Sequence, residues 1–355
     1  MPMPHTTLQL PSELGFSLPA EFEEHEATWL SWPKNEGTFP QGVLQGVEKT
    51  YCQIVGALQG GEKVKILVDN AESEEKVVFK LEQAGVPLKN VFFLKIKSSD
   101  VWMRDYSPIY VKNKQGKVAA TKWKYNAVGN KYEDLLADDV TGEEIAKNSL
   151  LQVFRPGIVL EGGSIDCNGA GTLLTTEQCL LNKNRNPHLS KKEIEKRLKD
   201  FLGASNIVWL QEGVAGDDTD GHVDDFARFV GKKKVVCAFE EDRGDENYAV
   251  LKKNFEVLEK ATDEEGEKLF VQKLPMPRKV FVAEEKRRLP ASYANFYVAN
   301  NCVLLPAFGD EADGKAVAVL QACFPKKRVV PIPCNDLVYG YGGIHCVTMQ
   351  EPATY

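Results

Sequence analysis

Short apolar runs alternate with charged, amphipathic segments along most of the chain. Residues 64–68 predict a strand, the pattern from about 72 to 83 predicts a helix that ends before Gly85, and 91–94 predict the next strand. Residues 106–121 predict a hairpin with a polar, glycine-containing turn. Alternation of strands and helices in this way is typical of α/β proteins.

The same order returns twice further along the chain. Ser190 and Glu193 form a capping box that opens a helix, and a strand is predicted after it at 207–210. A third copy is predicted from a strand at 301–306, a helix at 315–322 and a strand at 328–332. Recurrence of one order indicates an internal repeat rather than two unrelated domains.

The composition narrows the class of protein. The 355 residues carry a net charge of −7 with a pI near 5.5, which argues against nucleic acid or an anionic membrane as partner. The eight cysteines lack Cys-x-x-Cys spacing, which argues against a structural zinc site, and no run of about 18 apolar residues could span a bilayer. The N-terminus lacks the basic and apolar regions of a secretory signal. We therefore expect a cytoplasmic protein with free thiols.

Polar residues collect in four segments where a core pattern would place apolar ones. The segments are 100–108, 160–166, 216–225 and 342–348. The first is also explained by a turn with a surface ion pair, and the third, with five aspartates around His222, by an acidic turn or a metal loop. An EF-hand is a poor match because no glutamate closes the third segment. The second segment fails as a phosphate loop because no Lys-Ser or Lys-Thr follows it.

Cys346 lies in the fourth segment, after a pair of glycines. A free cysteine is more often a small buried apolar residue than a nucleophile, so this motif alone leaves both possibilities open. A thiolate beside His222, Asp105 and Asp224 would be opposed by the like charge of the carboxylates. The combination makes sense if the substrate is itself a cation, such as a planar guanidinium that two carboxylates can bind. Attack on its central carbon, loss of ammonia and hydrolysis would replace C=N by C=O, which is a deimination.

At these residues the chain resembles the guanidine-modifying superfamily, and specifically the agmatine deiminase family, which is related to the bacterial peptidylarginine deiminases. The resemblance extends from one end of the chain to the other. The motifs that carry it are Pro19-Ala20-Glu21-Phe22-Glu23-Glu24-His25, Trp102-Met103-Arg104-Asp105, Tyr125-Asn126-Ala127, Glu161-Gly162-Gly163, Gly221-His222-Val223-Asp224, Ser292-Tyr293-Ala294-Asn295-Phe296-Tyr297 and Gly342-Gly343-Ile344-His345-Cys346.

The resemblance implies one α/β domain over residues 1–355, a five-bladed ββαβ propeller with pseudo-fivefold symmetry (the pentein fold). It implies hydrolysis of agmatine, a small cationic guanidine, to N-carbamoylputrescine and ammonia in putrescine (polyamine) biosynthesis. A covalent amidino intermediate would form on cysteine, with no metal and no organic cofactor. Deimination of peptidyl-arginine or another small guanidine stays an alternative, and so, further off, do a metal-dependent hydrolase and a non-catalytic propeller. Whether the chain forms a homo-oligomer is left open.

The resemblance also implies roles for single residues. Those expected at the site are Cys346 as nucleophile, His222 as general acid and base, Asp105 and Asp224 as the guanidinium clamp, Trp102 as a pocket wall, Asp218 as an acid near the substrate, and Glu161 and Asn295 as pocket or scaffold residues. His25 and His345 are expected to be structural, with His345 and Cys346 facing opposite sides of a strand. The family often has Gly-Asp-Glu-Thr-Asn-Gly-His where residues 216–222 have a shorter acid at 218 and an extra charge at 220. This departure leaves the substrate preference open.

Overall fold

A computed structural model describes residues 9–282 and 286–354 of the chain. The N-terminal residues from which we expect no secretory signal lie outside the described residues. The strands are β1 (Phe16–Ser17), β2 (His25–Ser31), β3 (Lys63–Val68), β4 (Val91–Lys95), β5 (Ile109–Asn113), β6 (Val118–Thr121), β7 (Gln152–Phe154), β8 (Ile165–Cys167), β9 (Thr172–Thr176), β10 (Asn206–Leu210), β11 (Ala227–Gly231), β12 (Lys234–Phe239), β13 (Phe270–Pro275), β14 (Phe281–Val282), β15 (Arg287–Arg288), β16 (Tyr297–Val298), β17 (Cys302–Ala307), β18 (Arg328–Pro333) and β19 (Met349–Pro352). The helices are α1 (Gln41–Leu58), α2 (Ala71–Gln83), α3 (Met103–Tyr106), α4 (Asp138–Asn148), α5 (Glu177–Leu180), α6 (Lys191–Leu202), α7 (Glu246–Lys260) and α8 (Glu311–Cys323).

Five sheets of the described chain share one local topology. In each, an antiparallel pair is extended by a parallel strand that the chain reaches through a helix. The five are β5-β6-β7, β8-β9-β10, β11-β12-β13, β16-β17-β18 and β19-β2-β3, with crossover helices α4, α6, α7, α8 and α1. The α/β class is thus confirmed, and so is the recurring order of strand, helix and strand.

The two ends of the described chain meet in one sheet. Strand β19 pairs antiparallel with β2, so that Met349 lies opposite Trp29 and Gln350 opposite Thr28. This pairing places the segment around Cys346 against the start of the chain. It also supplies β2 with the antiparallel neighbour that the other four sheets obtain from a local hairpin.

Most local predictions agree with the structure. The strand at 64–68 is β3, and the helix at 72–83 is α2, which Asn70 caps by accepting from the Ser73 N–H. The capping box of Ser190 and Glu193 opens α6 as predicted.

The prediction that Cys346 lies on a strand is wrong. Residues 344–347 form a turn, and β19 begins only at Met349. The Thr348 hydroxyl donates to the Ile344 carbonyl (2.9 Å), and the Thr348 N–H donates to the His345 carbonyl (3.1 Å). These local bonds close the turn, so side chains do not alternate through it.

Buried apolar side chains form two large clusters. One joins the sheets of the N-terminal half to residues between 297 and 349, and the other lies on the sheets around β12 and β17. Across the described residues, no helix is both long and apolar enough to cross a bilayer.

Candidate active site

The turn that carries Cys346 is tied to two distant segments. The Arg104 N–H donates to the Cys346 carbonyl at 3.0 Å. The Asn295 Oδ1 accepts from the His345 N–H at 2.9 Å, and the Asn295 Nδ2 donates to the Cys346 sulfur at 3.1 Å. The position of the thiol is therefore fixed by backbone and amide hydrogen bonds.

Asp105 and Trp102 approach the thiol from α3 and its N-terminal edge. The Trp102 ring packs so closely on Gly342 that a Cβ there would lie 2.2 Å from Cζ3. Asp105 Oδ1 accepts a hydrogen bond from the Gly163 N–H at 3.0 Å. A Cβ on Gly163 would lie 2.6 Å from His222 Nδ1 and 3.0 Å from that Asp105 oxygen. Because glycine has no Cβ, Trp102 can pack against residue 342, and His222 and Asp105 against residue 163, more closely than any other amino acid at these positions would allow.

His222 is presented by a loop that one aspartate organises. Asp217 accepts from the N–H groups of Thr219 (2.7 Å) and Gly221 (2.7 Å). The Thr219 hydroxyl accepts from the His222 N–H at 3.1 Å. The imidazole is fully buried, and its Nδ1 lies 3.8 Å from Asp105 Oδ1.

Two further aspartates of this loop have different partners. Asp220, the extra charge of the loop, binds Arg185 at 2.6 Å and Lys131 at 2.8 Å. Asp218 accepts from the Tyr132 hydroxyl instead. The charge of Asp220 is therefore balanced within the scaffold, whereas Asp218 lines the cavity in front of Cys346.

Asp224 and Asp225 flank the thiol from the 3₁₀ turn that follows His222. Asp224 Oδ2 accepts from His345 Nδ1 at 2.6 Å and lies 3.9 Å from the Cys346 sulfur. Asp225 Oδ1 accepts from Asn295 Nδ2 at 2.8 Å. Asn295 therefore connects one carboxylate to the sulfur directly.

A cavity of about 400 Å³ opens in front of the sulfur. Its wall includes Trp102, Asp105, Tyr132, Asp134, Asp218, Arg287, Tyr341 and Cys346. Charged, aromatic and thiol groups thus share one concave surface, which is the usual form of a small-molecule site.

The wall near Tyr132 follows an uncommon backbone turn. Ala127, Val128, Gly129 and Asn130 all have φ between 52° and 76°, which is left-handed. Such conformations cost non-glycine residues of the order of 1 kcal/mol or more each, most for a β-branched residue such as Val128. The Asn126 side chain accepts from the Gly129 N–H at 3.0 Å and so stabilises the turn.

The electrostatics of the free site oppose ionisation of the thiol. Burial raises the pKa of Cys346 well above its usual range, and the charges of Asp224, Asp225 and Asp105 raise it further. Burial also raises the pKa of Asp105 to about 7. Burial alone would lower the pKa of His222, but the charge of Asp105 raises it well above its usual range. The free site thus favours a neutral thiol beside a protonated imidazole.

Several buried polar atoms around His222 and Cys346 have no hydrogen-bond partner among the described residues. They are Glu161 Oε2, His222 Nδ1 and Nε2, Asp224 Oδ1 and Asp225 Oδ2. Leaving such an atom unpaired costs about 1–3 kcal/mol each. A ligand that carries several N–H donors would satisfy the carboxylate oxygens.

The eight predicted site residues fall into three groups. Cys346, Asp105, Trp102 and Asp218 line the cavity. Asp224 and Asn295 contact the Cys346 sulfur and His222 lies beside Asp105, whereas Glu161 lies beside His222. Glu161 Oε1 accepts from Arg185 Nε at 2.7 Å, so one of its oxygens belongs to the scaffold.

The prediction that His345 faces away from Cys346 is wrong, because both side chains reach Asp224. Sequence reasoning also missed Asp225, although it directly follows Asp224 in the acidic segment. Both His345 and Asp225 are adjacent in sequence to a predicted site residue, and this adjacency was the signal that could have found them. Sequence spacing could not show which neighbour the turns would direct inward.

Two sets of donor atoms lie within 4.8 Å of one another, as a metal site would require: Glu161 with Cys179 and His222, and Asp224 with Asp225 and Cys346. Each set already faces hydrogen-bond donors or a cation. Arg185 binds Glu161, His345 binds Asp224, and Asn295 binds Asp225. These groups hold Glu161 Oε1, Asp224 Oδ2 and Asp225 Oδ1, and the second oxygen of each carboxylate has no partner among the described residues.

Comparisons with known proteins agree over nearly the whole chain. The model of the Porphyromonas-type peptidyl-arginine deiminase family matches residues 17–352. A Mycoplasma capricolum protein named "Putative agmatine deiminase" is 36% identical over 97% of this chain and 98% of its own. A solved agmatine deiminase of Enterococcus faecalis has a TM-score of 0.91 at 32% identity, covering 97% of this chain and 98% of its own. A cysteine-to-serine variant of the C. jejuni agmatine deiminase, solved with substrate bound, has a TM-score of 0.84 at 31% identity over 96% of each chain.

Replacing Gly163 with alanine should lower the turnover of a guanidine substrate, followed as ammonia release, by about 100-fold. The added Cβ would displace His222 and Asp105, and shifts of about 1 Å in catalytic groups have effects of this order. Gly231→Ala is the matched control, because its Cβ would approach no atom closer than 3.8 Å. Equal activity of both variants would contradict the described convergence of side chains.

Proposed function

The chain belongs to the Porphyromonas-type peptidyl-arginine deiminase family, and from this membership we propose that it hydrolyses agmatine to N-carbamoylputrescine and ammonia through a covalent intermediate on Cys346. The agmatine deiminases among its relatives support this choice of substrate. The observation that carries the proposal is the group of unpartnered buried oxygens beside the thiol. A guanidinium offers the N–H donors that these oxygens lack.

The substrate cation completes the site and changes the charge of the thiol. Its positive charge offsets Asp105 and Asp224, which otherwise raise the pKa of Cys346. The thiol can then lose its proton to solvent through the cavity, and Asn295 Nδ2, 3.1 Å from the sulfur, stabilises the thiolate. A cationic substrate therefore activates the nucleophile that attacks it.

Asp105 and Asp224 each keep one oxygen for the guanidinium. Asp105 uses Oδ1 for the Gly163 N–H, and Asp224 uses Oδ2 for His345. Asp105 Oδ2 and Asp224 Oδ1 are then left to accept from the substrate nitrogens. This division orients the planar cation with its central carbon towards the sulfur.

The reaction proceeds in two halves. The thiolate adds to the guanidinium carbon, His222 gives a proton to the departing nitrogen, and ammonia leaves an amidino group on sulfur. His222 then takes one proton from a water molecule, whose oxygen adds to the same carbon. Collapse of this adduct expels the thiolate, and the remaining hydroxyl proton leaves to solvent as C=O forms. One water is consumed, one ammonia is released, and C=N becomes C=O.

The far end of agmatine is an ammonium, and Asp218 is the acid we assign to it. Burial raises the pKa of Asp218 to about 6, so the carboxylate is charged at neutral pH. Tyr132 orients it by donating a hydrogen bond, and the Trp102 ring lines the wall in between.

We also propose that the five ββαβ sheets surround one pseudo-fivefold axis as blades of a single domain spanning the chain, with the cavity near that axis. Their shared topology and the pairing of β19 with β2 support this arrangement. The eight free thiols support a reducing, cytoplasmic setting.

Replacing Cys346 with serine or alanine should reduce ammonia release from agmatine by at least about 10³-fold without loss of the folded state, because no covalent intermediate can form. Cys323→Ser, which changes a partly exposed thiol in α8, should keep the parent rate. Mass spectrometry of acid-quenched parent enzyme should find the Cys346 peptide heavier by one agmatine less one ammonia. Turnover by either Cys346 variant at a rate close to that of the parent would exclude this cysteine as nucleophile.

Replacing Asp218 with asparagine should raise KM for agmatine by about 10-fold or more, because a charge-assisted contact with the ammonium is lost. Turnover of butylguanidine, which has no ammonium, should change little in the Asp218→Asn variant. A panel of agmatine, free arginine and a blocked arginine peptide completes the test. Higher kcat/KM on the peptide would replace agmatine by peptidyl-arginine as the substrate.

A further inference from the structure

We infer that His345 is a positioning residue, a buried imidazolium held between Asp224 and Glu21 that keeps the Asp224 carboxylate charged and aimed at the substrate. The inference rests on the proposed function. It explains how the Asp224 carboxylate stays ionised in a buried site before the substrate binds.

The contacts of His345 fix its protonation state. Its Nδ1 lies 2.6 Å from Asp224 Oδ2, and its Nε2 lies 2.8 Å from Glu21 Oε2. Ionised carboxylate oxygens only accept hydrogen bonds, so both ring nitrogens must donate and the ring carries a positive charge. The ring is 2% exposed, so water does not substitute for either partner.

The same contact leaves Asp224 in a useful form. Burial would raise the pKa of Asp224, but the hydrogen bond and charge of His345 lower it below its usual range. His345 occupies only Oδ2, and Oδ1 has no partner among the described residues. The carboxylate is therefore charged with one oxygen free.

Glu21 balances the positive charge of His345, so that the imidazolium does not cancel the attraction of Asp224 for the cationic substrate. The charges of Glu21 and Asp224 on the two sides of His345 leave this trio with a net negative charge. Glu21 is itself held by Arg228 at 2.8 Å and Arg104 at 3.3 Å. Burial would raise the pKa of Glu21, but Arg228 and His345 lower it far below its usual range.

Other ionisable groups also face this trio. Those on the substrate side are Asp105, His222, Asp225 and Cys346, and those on the far side are Arg104, Arg228 and Asp166. Among these groups His345 donates to Asp224 at 2.6 Å, whereas the Cys346 thiol donates to it only at 3.9 Å. Loss of His345 should therefore raise the pKa of Asp224 more than loss of any of the more distant charged groups.

The test is the pH dependence of kcat/KM for agmatine in the parent, His345→Gln and His25→Gln. Without the cation the pKa of Asp224 rises, Asp224 takes up a proton at higher pH, and activity on the acid side is lost earlier. Burial raises the pKa of Asp105 to about 7, so Asp105 sets the acid limb of the parent. Asp224 is fully buried, and without the cation we expect its pKa to pass that of Asp105, so that the acid limb of the His345→Gln profile moves up by about 1–3 pH units, with a higher KM. His25 is the matched control, a buried histidine that contacts Glu62 at 3.2 Å and the Glu21 carbonyl at 2.7 Å, and its profile should match that of the parent.

An acid limb of His345→Gln that overlays the parent overturns the inference, even if kcat or stability falls. If this variant does not fold or is inactive at every pH, Glu21→Asp decides by the same readout, since it keeps the charge but withdraws the carboxylate from Nε2. An unmoved limb there also overturns the inference. Failure of the proposed function would be seen separately, as a parent enzyme that releases no ammonia from agmatine.

Discussion

An excess of buried negative charge around one thiol is the constraint on which the site depends. Asp105, Asp224 and Asp225 all raise the pKa of Cys346, and burial raises it first. Such a cysteine is a poor nucleophile until a cation joins it. In the reaction we propose, the same acidity that suppresses the thiolate in the free protein selects a guanidinium, and binding of that cation activates the thiol. Selection of the guanidinium and activation of the Cys346 thiol then have the same electrostatic cause.

Around the site, two buried arginines balance the charge of four carboxylates of the scaffold. Arg185 binds both Glu161 and Asp220, and Arg228 binds both Glu21 and Asp166. Buried ion pairs of this kind contribute little net stability, because desolvation offsets their attraction. Their contribution here is orientation. Glu161, Asp224 and Asp225 each keep one buried oxygen without a partner among the described residues.

Much of this fold could be predicted locally, and part of it could not. Apolar periodicity and capping residues located β3, α2 and α6, since those signals lie within a few residues of each other. The pairing of β19 with β2 joins positions such as Met349 and Trp29, and no local pattern encodes such a distant partner. The roles of His222 and Asp105 came from family motifs and stay predictions. The direction of His345 was missed because hydrogen bonds of Thr348 close a turn where a strand was expected.

The most direct measurement compares how fast Cys346 is alkylated by neutral iodoacetamide and by a cationic haloacetamidine between pH 6 and 10, followed as loss of deiminase activity. We expect the neutral reagent to react with an apparent pKa above about 8.5, the value of a free cysteine. The cationic reagent, normalised to free cysteine, should react on the order of 100-fold faster at pH 7, which corresponds to about two pKa units. Equal normalised rates, with an apparent pKa below that of free cysteine for the neutral reagent, would contradict activation of the thiol by the bound cation.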